Sequence, residues 1–296
     1  MNAEVAARAP VADAGRSLWV DAWRTLRKNR AAVAAAAIIV AMTVLVIVGP
    51  WLSPYSYAFT DWGNASIGPS LSTGHLFGTD TLGRDLFVRT LYGGRISLLV
   101  GLVATVVSLL IGVAYGATAG YFGGRIDNVM MRIVDILYAM PFMFFVILLM
   151  VYFGRNILLI FVAIGAINWL DMARIVRGQT LSLKHKEFVE AAEALGVSTF
   201  ALIRRHIVPN LLGVVAVYVT LTIPQVILVE SFLSFLGLGV QEPMTSWGAL
   251  VNEGAEEMES APWMLLFPAV FLATTLFCFN FLGDGLRDAL DPKDRG

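Results

Sequence analysis

"ISLLVGLVATVVSLLIGVAYGATAGYFGG" runs from Ile96 to Gly124 without a single Asp, Glu, Lys or Arg. Roughly 20 apolar residues cross the hydrocarbon of a bilayer, and only a helix satisfies its own backbone there. Two further stretches, Ala31–Thr60 and Ser260–Gly283, are equally free of charge. Over the 296 residues, 57% are hydrophobic and 15% charged, too few charges to cover a soluble domain of this size. The mean hydropathy of +0.73 agrees. These observations exclude a soluble α/β core and define an all-α integral membrane protein.

Working outward from Ile96, the apolar pattern predicts six transmembrane helices, at about 31–53, 96–120, 131–153, 156–176, 209–231 and 262–284. Pro141 is expected to kink the third. Gly112, Gly116, Gly120 and Gly124 recur every fourth residue along the second, a spacing that lets helix backbones meet closely in lipid. Cys278 is the single cysteine, so no disulfide framework exists within the chain, and its position in the last span suits packing.

Charge sets the orientation. Seventeen Lys and Arg fall in the N-terminal tail, the 121–132 turn, the 174–208 segment and the C-terminal tail. Only Arg84, Arg89, Arg95 and Arg155 fall on the other side. This bias places both termini in the cytoplasm. The outer loop 239–262 carries five acids (Glu242, Glu253, Glu256, Glu257, Glu259) and no base. Near the N-terminus, Leu18, Trp19, Ala22, Trp23 and Leu26 share a helical face opposite Arg24, Arg27 and Lys28, which predicts an interfacial helix on the inner surface. The first 16 residues have no apolar core ahead of a cleavage site and do not read as a cleavable signal.

Between the fourth and fifth spans lies "EFVEAAEALGVSTFALIRRHIVPN", Glu187–Asn210. It is too polar to enter lipid, and Phe188, Ala191, Ala192 and Leu195 recur at helical spacing. Gly196 reads as the residue that ends a helix with φ > 0. Ser198 can cap a second helix through Ile207, and Pro209 punctuates the start of the next span. This predicts a cytoplasmic helix–turn–helix whose small alanines let another surface approach.

Ionisable residues within spans are expensive and mark function by default. Asp135 lies three residues from Arg132, and Asp171 three from Arg174, so local pairs are expected for both. Glu230 has no base within twenty positions and sits beside Ser231 and Ser234. These three are candidates for the translocation path, the other reading of Glu230 being a hydrogen bond to a neighbouring helix.

No G-x-x-x-x-G-K-[ST] loop is present to hold nucleotide phosphates. His75, His185 and His206 are scattered, giving no metal-ligand spacing, and no nucleophile–base pair stands out. No catalytic, cofactor or metal residue is therefore assigned, and nothing points to nucleic acid.

The order Glu190-Ala191-Ala192, then Gly196, closing on Ile207-Val208-Pro209, resembles the EAA loop of ABC importer permeases. His206 and Val208 depart from that family's general pattern, but the ending Arg205–Asn210 is similar to that of its oligopeptide/dipeptide branch. The stretch "FGTDTLGRDLFVRTLYGGRISL" (Phe77–Leu98) resembles the signature before the second span of C-type peptide and nickel subunits. Physically, Thr79 or Asp80 can cap a turn there, and Asp85 and Arg89 stand at i,i+4 on a helix. "GGRIDNVMMRIVDILYAMP", "ESFLSFLGLG", "SWG" and "NFLGDGLRDALDP" extend the resemblance over nearly all of the chain after Ala31.

The resemblance implies a type I ABC importer permease fold. Residues 1–30 would form a cytoplasmic tail and amphipathic helix, and 31–94 the first span with an outer loop. Residues 95–288 would form the permease domain, with a coupling segment at 187–206, and 289–296 a cytoplasmic tail. Glu190, Ala191, Ala192, Gly196, Arg205 and Pro209 would couple to the ATPase. Implied partners are a B-type permease in a heterodimer, two ATPase subunits holding ATP and Mg, an extracytoplasmic binding protein and bilayer lipid. The chain would do no bond-breaking chemistry. It would carry di- or oligopeptides across a bacterial inner membrane; a nickel or nickel-chelate permease shares the motifs. An ion-gradient-driven secondary transporter is the rival from another class, but neither a repeat nor a paired midplane acid supports it.

Overall fold

The computed structural model describes residues 18–154 and 157–290. Arg8, Arg16, Arg155, Lys293 and Arg295 of the charge pattern lie outside them. Helix α1 (Leu18–Lys28) leads into α2 (Arg30–Leu52) through Asn29, whose Oδ1 accepts from the Ala32 N–H at 3.1 Å. That N-cap satisfies one of the free N–H groups at the start of α2. Ala22 is buried, Leu26 half-buried beside Gly285 of the last helix, and Trp23 exposed.

Helix α3 (Leu86–Phe122) starts ten residues ahead of the expected span, because Asp85 caps it by accepting from the Val88 N–H at 2.9 Å. Its 37 residues reach about 55 Å, well beyond the roughly 30 Å of hydrocarbon. Gly123 and Gly124, both with positive φ, turn the chain into α4 (Gly124–Ala139). The expected third span is not one kinked helix. Met140, ahead of Pro141, is extended, and α5 (Phe142–Phe153) leaves α4 at 78°. A residue before proline is pushed out of helical conformation, which explains the break.

Helix α6 (Ile157–Leu183) is followed by α7 (Glu187–Ala194) and α8 (Thr199–Leu202). A π turn over Ile203–Ile207 joins α8 to α9 (Val208–Phe235), so that Thr199–Phe235 runs as one helix. Pro209 therefore does not break the chain as its position suggests. A proline ring clashes with the carbonyl four residues back and offers it no N–H. The wider turn, in which the Val208 N–H reaches the Ile203 carbonyl, accommodates it. Helices α10 (Trp247–Glu256) and α11 (Trp263–Leu290) complete the bundle.

Among the described residues, α2, α3, the Thr199–Phe235 helix and α11 are long and apolar enough to cross a membrane, and the α4–α5 pair adds a fifth if counted as one broken span. The glycine stripe of α3 packs on α6. A Cβ on Gly116 would lie 2.4 Å from the Ala173 carbonyl oxygen, and one on Gly112 2.5 Å from Met172 Cβ. Gly120 meets the Arg177 carbonyl at 2.7 Å in the same way. Gly124 does not belong to this contact; nothing lies within 4 Å of its Cβ position, and its positive φ serves the turn. Beside this seam, Val100, Ala104, Val146, Met150, Ile164, Val226 and Leu233 form a core shared by α3, α5, α6 and α9.

Candidate functional site

The segment from Glu187 to Ile207 is built around Gly196. Its φ is +79°, the Gly196 N–H donates to the Glu193 carbonyl at 2.9 Å, and the Val197 N–H donates to the Ala192 carbonyl at 3.2 Å. This paired closure needs the left-handed conformation, which glycine adopts without a Cβ penalty. Space is not the constraint, since nothing lies within 4 Å of a Cβ there. Ser198 starts α8 by its carbonyl, which accepts from Leu202 N–H at 2.8 Å, but its side chain makes no cap.

The buried face of α7 is Val189 and Ala192, not the Phe188–Ala191–Ala192–Leu195 set that the spacing suggested. Phe188, Ala191, Leu195 and Phe200 are exposed instead, with Leu195 at 85%. Four apolar side chains therefore stand on a polar turn without cover from the described chain. Glu190 is exposed beside His185, 4.0 Å away, and Arg205 is exposed as well. Behind them, Ile207, Leu211 and Val215 pack on Ala117, Met172 and Val176, anchoring the segment to α3 and α6.

Glu230 sits at the opposite end of α9 and is fully buried. Ser234 Oγ donates to its Oε1 at 2.7 Å, and Ser97 Oγ from α3 donates to its Oε2 at 3.2 Å. Ser246 Oγ donates to Ser234 Oγ at 3.2 Å and caps α10 by accepting from Ala249 N–H. Trp247, also fully buried, donates its backbone N–H to Ser97 Oγ and its indole N–H to the Thr90 carbonyl. The carboxylate thus ties α3, α9 and α10 together, which is the neighbouring-helix reading of Glu230. Ser231 is buried without a hydrogen-bond partner for its Oγ, and Gly248 lies on its backbone.

A charged cluster around the start of α3 escaped the sequence reading. Arg89 is 1% exposed; its Nη2 donates to both carboxylate oxygens of Glu253, at 2.8 and 2.9 Å, and its Nη1 stands 2.9 Å from Asp80 Oδ2. Arg84 donates to Asp80 at 2.6 Å and to Glu242 at 2.8 Å. Asp85 does not pair with Arg89 at i,i+4. It caps α3 and binds His75 Nδ1 at 2.8 Å. Burial pushes the Glu253 carboxyl up to about 7, against the pull of Arg84. The signal was available: of the four bases assigned to that side, Arg84 lies just ahead of α3 and Arg89 in its first turn, and the 239–262 loop carries only acids.

Among the described residues the expected local pairs Asp135–Arg132 and Asp171–Arg174 do not form. Arg174 of α6 donates to Asp135 of α4 at 2.8 Å and lies over the Tyr138 ring. Arg177 makes a two-pronged contact with Asp127.

The described residues thus form a bundle of long apolar helices with a polar turn carrying exposed apolar side chains at one end. Residues 108–296 match the family of binding-protein-dependent transport system inner membrane components, and residues 17–69 match the N-terminal TM domain of oligopeptide transport permease C. The chain belongs to this binding-protein-dependent permease family. It is 63% identical over 281 residues to the oligopeptide transport system permease protein OppC of Escherichia coli (strain K12), covering 95% of this chain and 93% of the relative. The OppC protein of Haemophilus influenzae is 61% identical over 281 residues, with 95% and 90% coverage. The dipeptide transport system permease protein DppC of Bacillus subtilis is 50% identical over 276 residues, with 93% and 86% coverage.

Proposed function

We propose that this chain forms half of the transmembrane pathway of an ATP-driven importer for di- and oligopeptides. The exposed apolar face on the Gly196 turn carries the reading, because it needs a partner and is rooted in the helix that reaches the buried Glu230. Whole-length similarity to permeases named for oligopeptides and dipeptides supports peptides over nickel. In this reading the bundle has six spans, with α4–α5 as the third and α6 as the fourth, and α1 lies on the inner surface. Both termini are cytoplasmic, in a bacterial inner membrane. The second half is a B-type permease, and Phe188, Glu190, Ala191, Leu195 and Arg205 face one of two ATPase subunits, which hold ATP and Mg, while the buried Ala192 backs that face. An extracytoplasmic binding protein delivers the peptide.

ATP-driven closure of the ATPases displaces the coupling segment, and the bundle changes the side on which it is open. The deciding experiment is purification of the intact complex, identification of its chains, and reconstitution in vesicles with its binding protein. ATP-dependent uptake of tri-alanine is expected. A complex without ATPase subunits, or uptake driven by an ion gradient instead, overturns the reading.

A further inference from the structure

At the break between α4 and α5 lies a cavity of about 470 Å³, lined by Leu137, Tyr138, Met140, Phe145, Leu170 and Asp171 among others. That volume is within the roughly 300–1,000 Å³ of small-molecule sites. Its walls are apolar but for Asp171 and the Tyr138 hydroxyl. Arg174, the base three residues away, is held by Asp135 and Tyr138, and Arg177 by Asp127. Asp171 has no hydrogen-bond or ion-pair partner among the described residues. A lone carboxylate facing an apolar cavity in a spanning helix calls for a cation. The place adds a second attraction. Leu137, Tyr138 and the capping Met140 stand at the C-terminal end of α4, a 16-residue helix whose last carbonyls carry partial negative charge. Interrupted helices inside a bundle expose such ends to a substrate.

We propose that this cavity is a substrate-binding station within the permease, in which Asp171 takes the N-terminal ammonium of a peptide in transit. The ammonium offers three donors, to the Asp171 carboxylate and to the last carbonyls of α4, while the apolar walls accept a side chain without selecting it. The proposal rests on the peptide-import reading above.

The test is equilibrium binding of labelled tri-alanine and of its N-acetylated form to the purified complex without its binding protein, alongside vesicle uptake with the binding protein present. Wild type should favour the free amine by about tenfold, the effect of one charge-assisted pair of about 1.4 kcal/mol. Asp171→Asn should bind both peptides at the acetylated level, and Asp171→Glu should restore the preference. Ile167→Trp, which fills the same cavity without touching the charge, should weaken both peptides together. Wild-type uptake with an amine preference that Asp171→Asn retains, or with no amine preference at all, overturns the station alone. A wild-type complex that imports no peptide overturns the function reading and the station with it. If Asp171→Asn fails to assemble, loss of binding in an assembled Ile167→Trp complex supports the cavity, and unchanged binding there rejects it.

Discussion

Arg89, near the start of α3, grips both carboxylate oxygens of Glu253 in α10, a residue 164 positions further along the chain. The contact joins α3 to α10, and Asp80 from the segment ahead of α3 completes the enclosure. Removing one partner of a buried ion pair costs about 3–5 kcal/mol, and Asp80 is the acid that Arg84 and Arg89 share. Asp80→Ala is therefore expected to lower the thermal midpoint of the purified complex strongly. An unchanged midpoint would show that the cluster carries no stability.

Glu253 also gives this clamp a pH dependence. Its folded carboxyl holds a proton more tightly than an unfolded one, so the folded chain takes up a proton between the ordinary carboxylate range and about 7. Stability from this group is full below that range and is lost as pH rises through about 7. Glu253→Gln should remove that slope. Thermal scans at pH 5 and pH 8 should show a larger difference for wild type than for the variant; equal differences reject the assignment.

Gly196 and Glu190 test coupling. Proline fixes φ near −65° and cannot adopt the +79° of Gly196. Gly196→Pro should therefore insert in the membrane at normal abundance yet lose ATPase docking and uptake. Glu190→Lys reverses a charge on the exposed face and should do the same to a lesser degree. Normal assembly and transport by both variants would remove the segment from the coupling path.

The serine cage predicts opposite outcomes for two changes at Glu230. Glu230→Gln keeps size and hydrogen bonding and should leave abundance near normal. Glu230→Leu strands Ser97 and Ser234, at about 1–3 kcal/mol for each unsatisfied group, and should lower membrane abundance. Measuring uptake beside abundance tests the path role as well. An abundant Glu230→Gln protein with altered uptake gives the carboxylate a place in transport.

A reporter active only in the cytoplasm should work when fused after Lys186 and fail when fused near Thr73 or Glu256. Activity at Glu256 would overturn the six-span arrangement.

Much of this molecule was legible in its sequence because lipid removes alternatives. Charge-free runs must be helices, and Gly196 announces its turn through the one conformation other residues avoid. The glycines at 112, 116 and 120 likewise declared a close contact, though not that α6 supplies it. Pairings across distant segments were not legible. Asp85 and Arg89 have helical spacing, but a cap claims Asp85 and the outer loop claims Arg89. Asp171 and Arg174 stand three residues apart, also within reach on a helix, yet α4 presents Asp135 and draws Arg174 away. Local spacing shows which partners are reachable; tertiary packing decides which are taken. Pro209 misled for a related reason, since a π turn lets a helix absorb a residue that usually ends one.

That π turn has a mechanical consequence. Because the helix passes through it unbroken, Phe200 and Glu230 are fixed to a single rod, about 45 Å apart at 1.5 Å per residue. A rod pivoted at its middle is a see-saw. Tilting it by about 10° would carry each end roughly 4 Å in opposite directions, so under the proposed coupling a small stroke at the Gly196 turn would reach Glu230 as the opposite displacement.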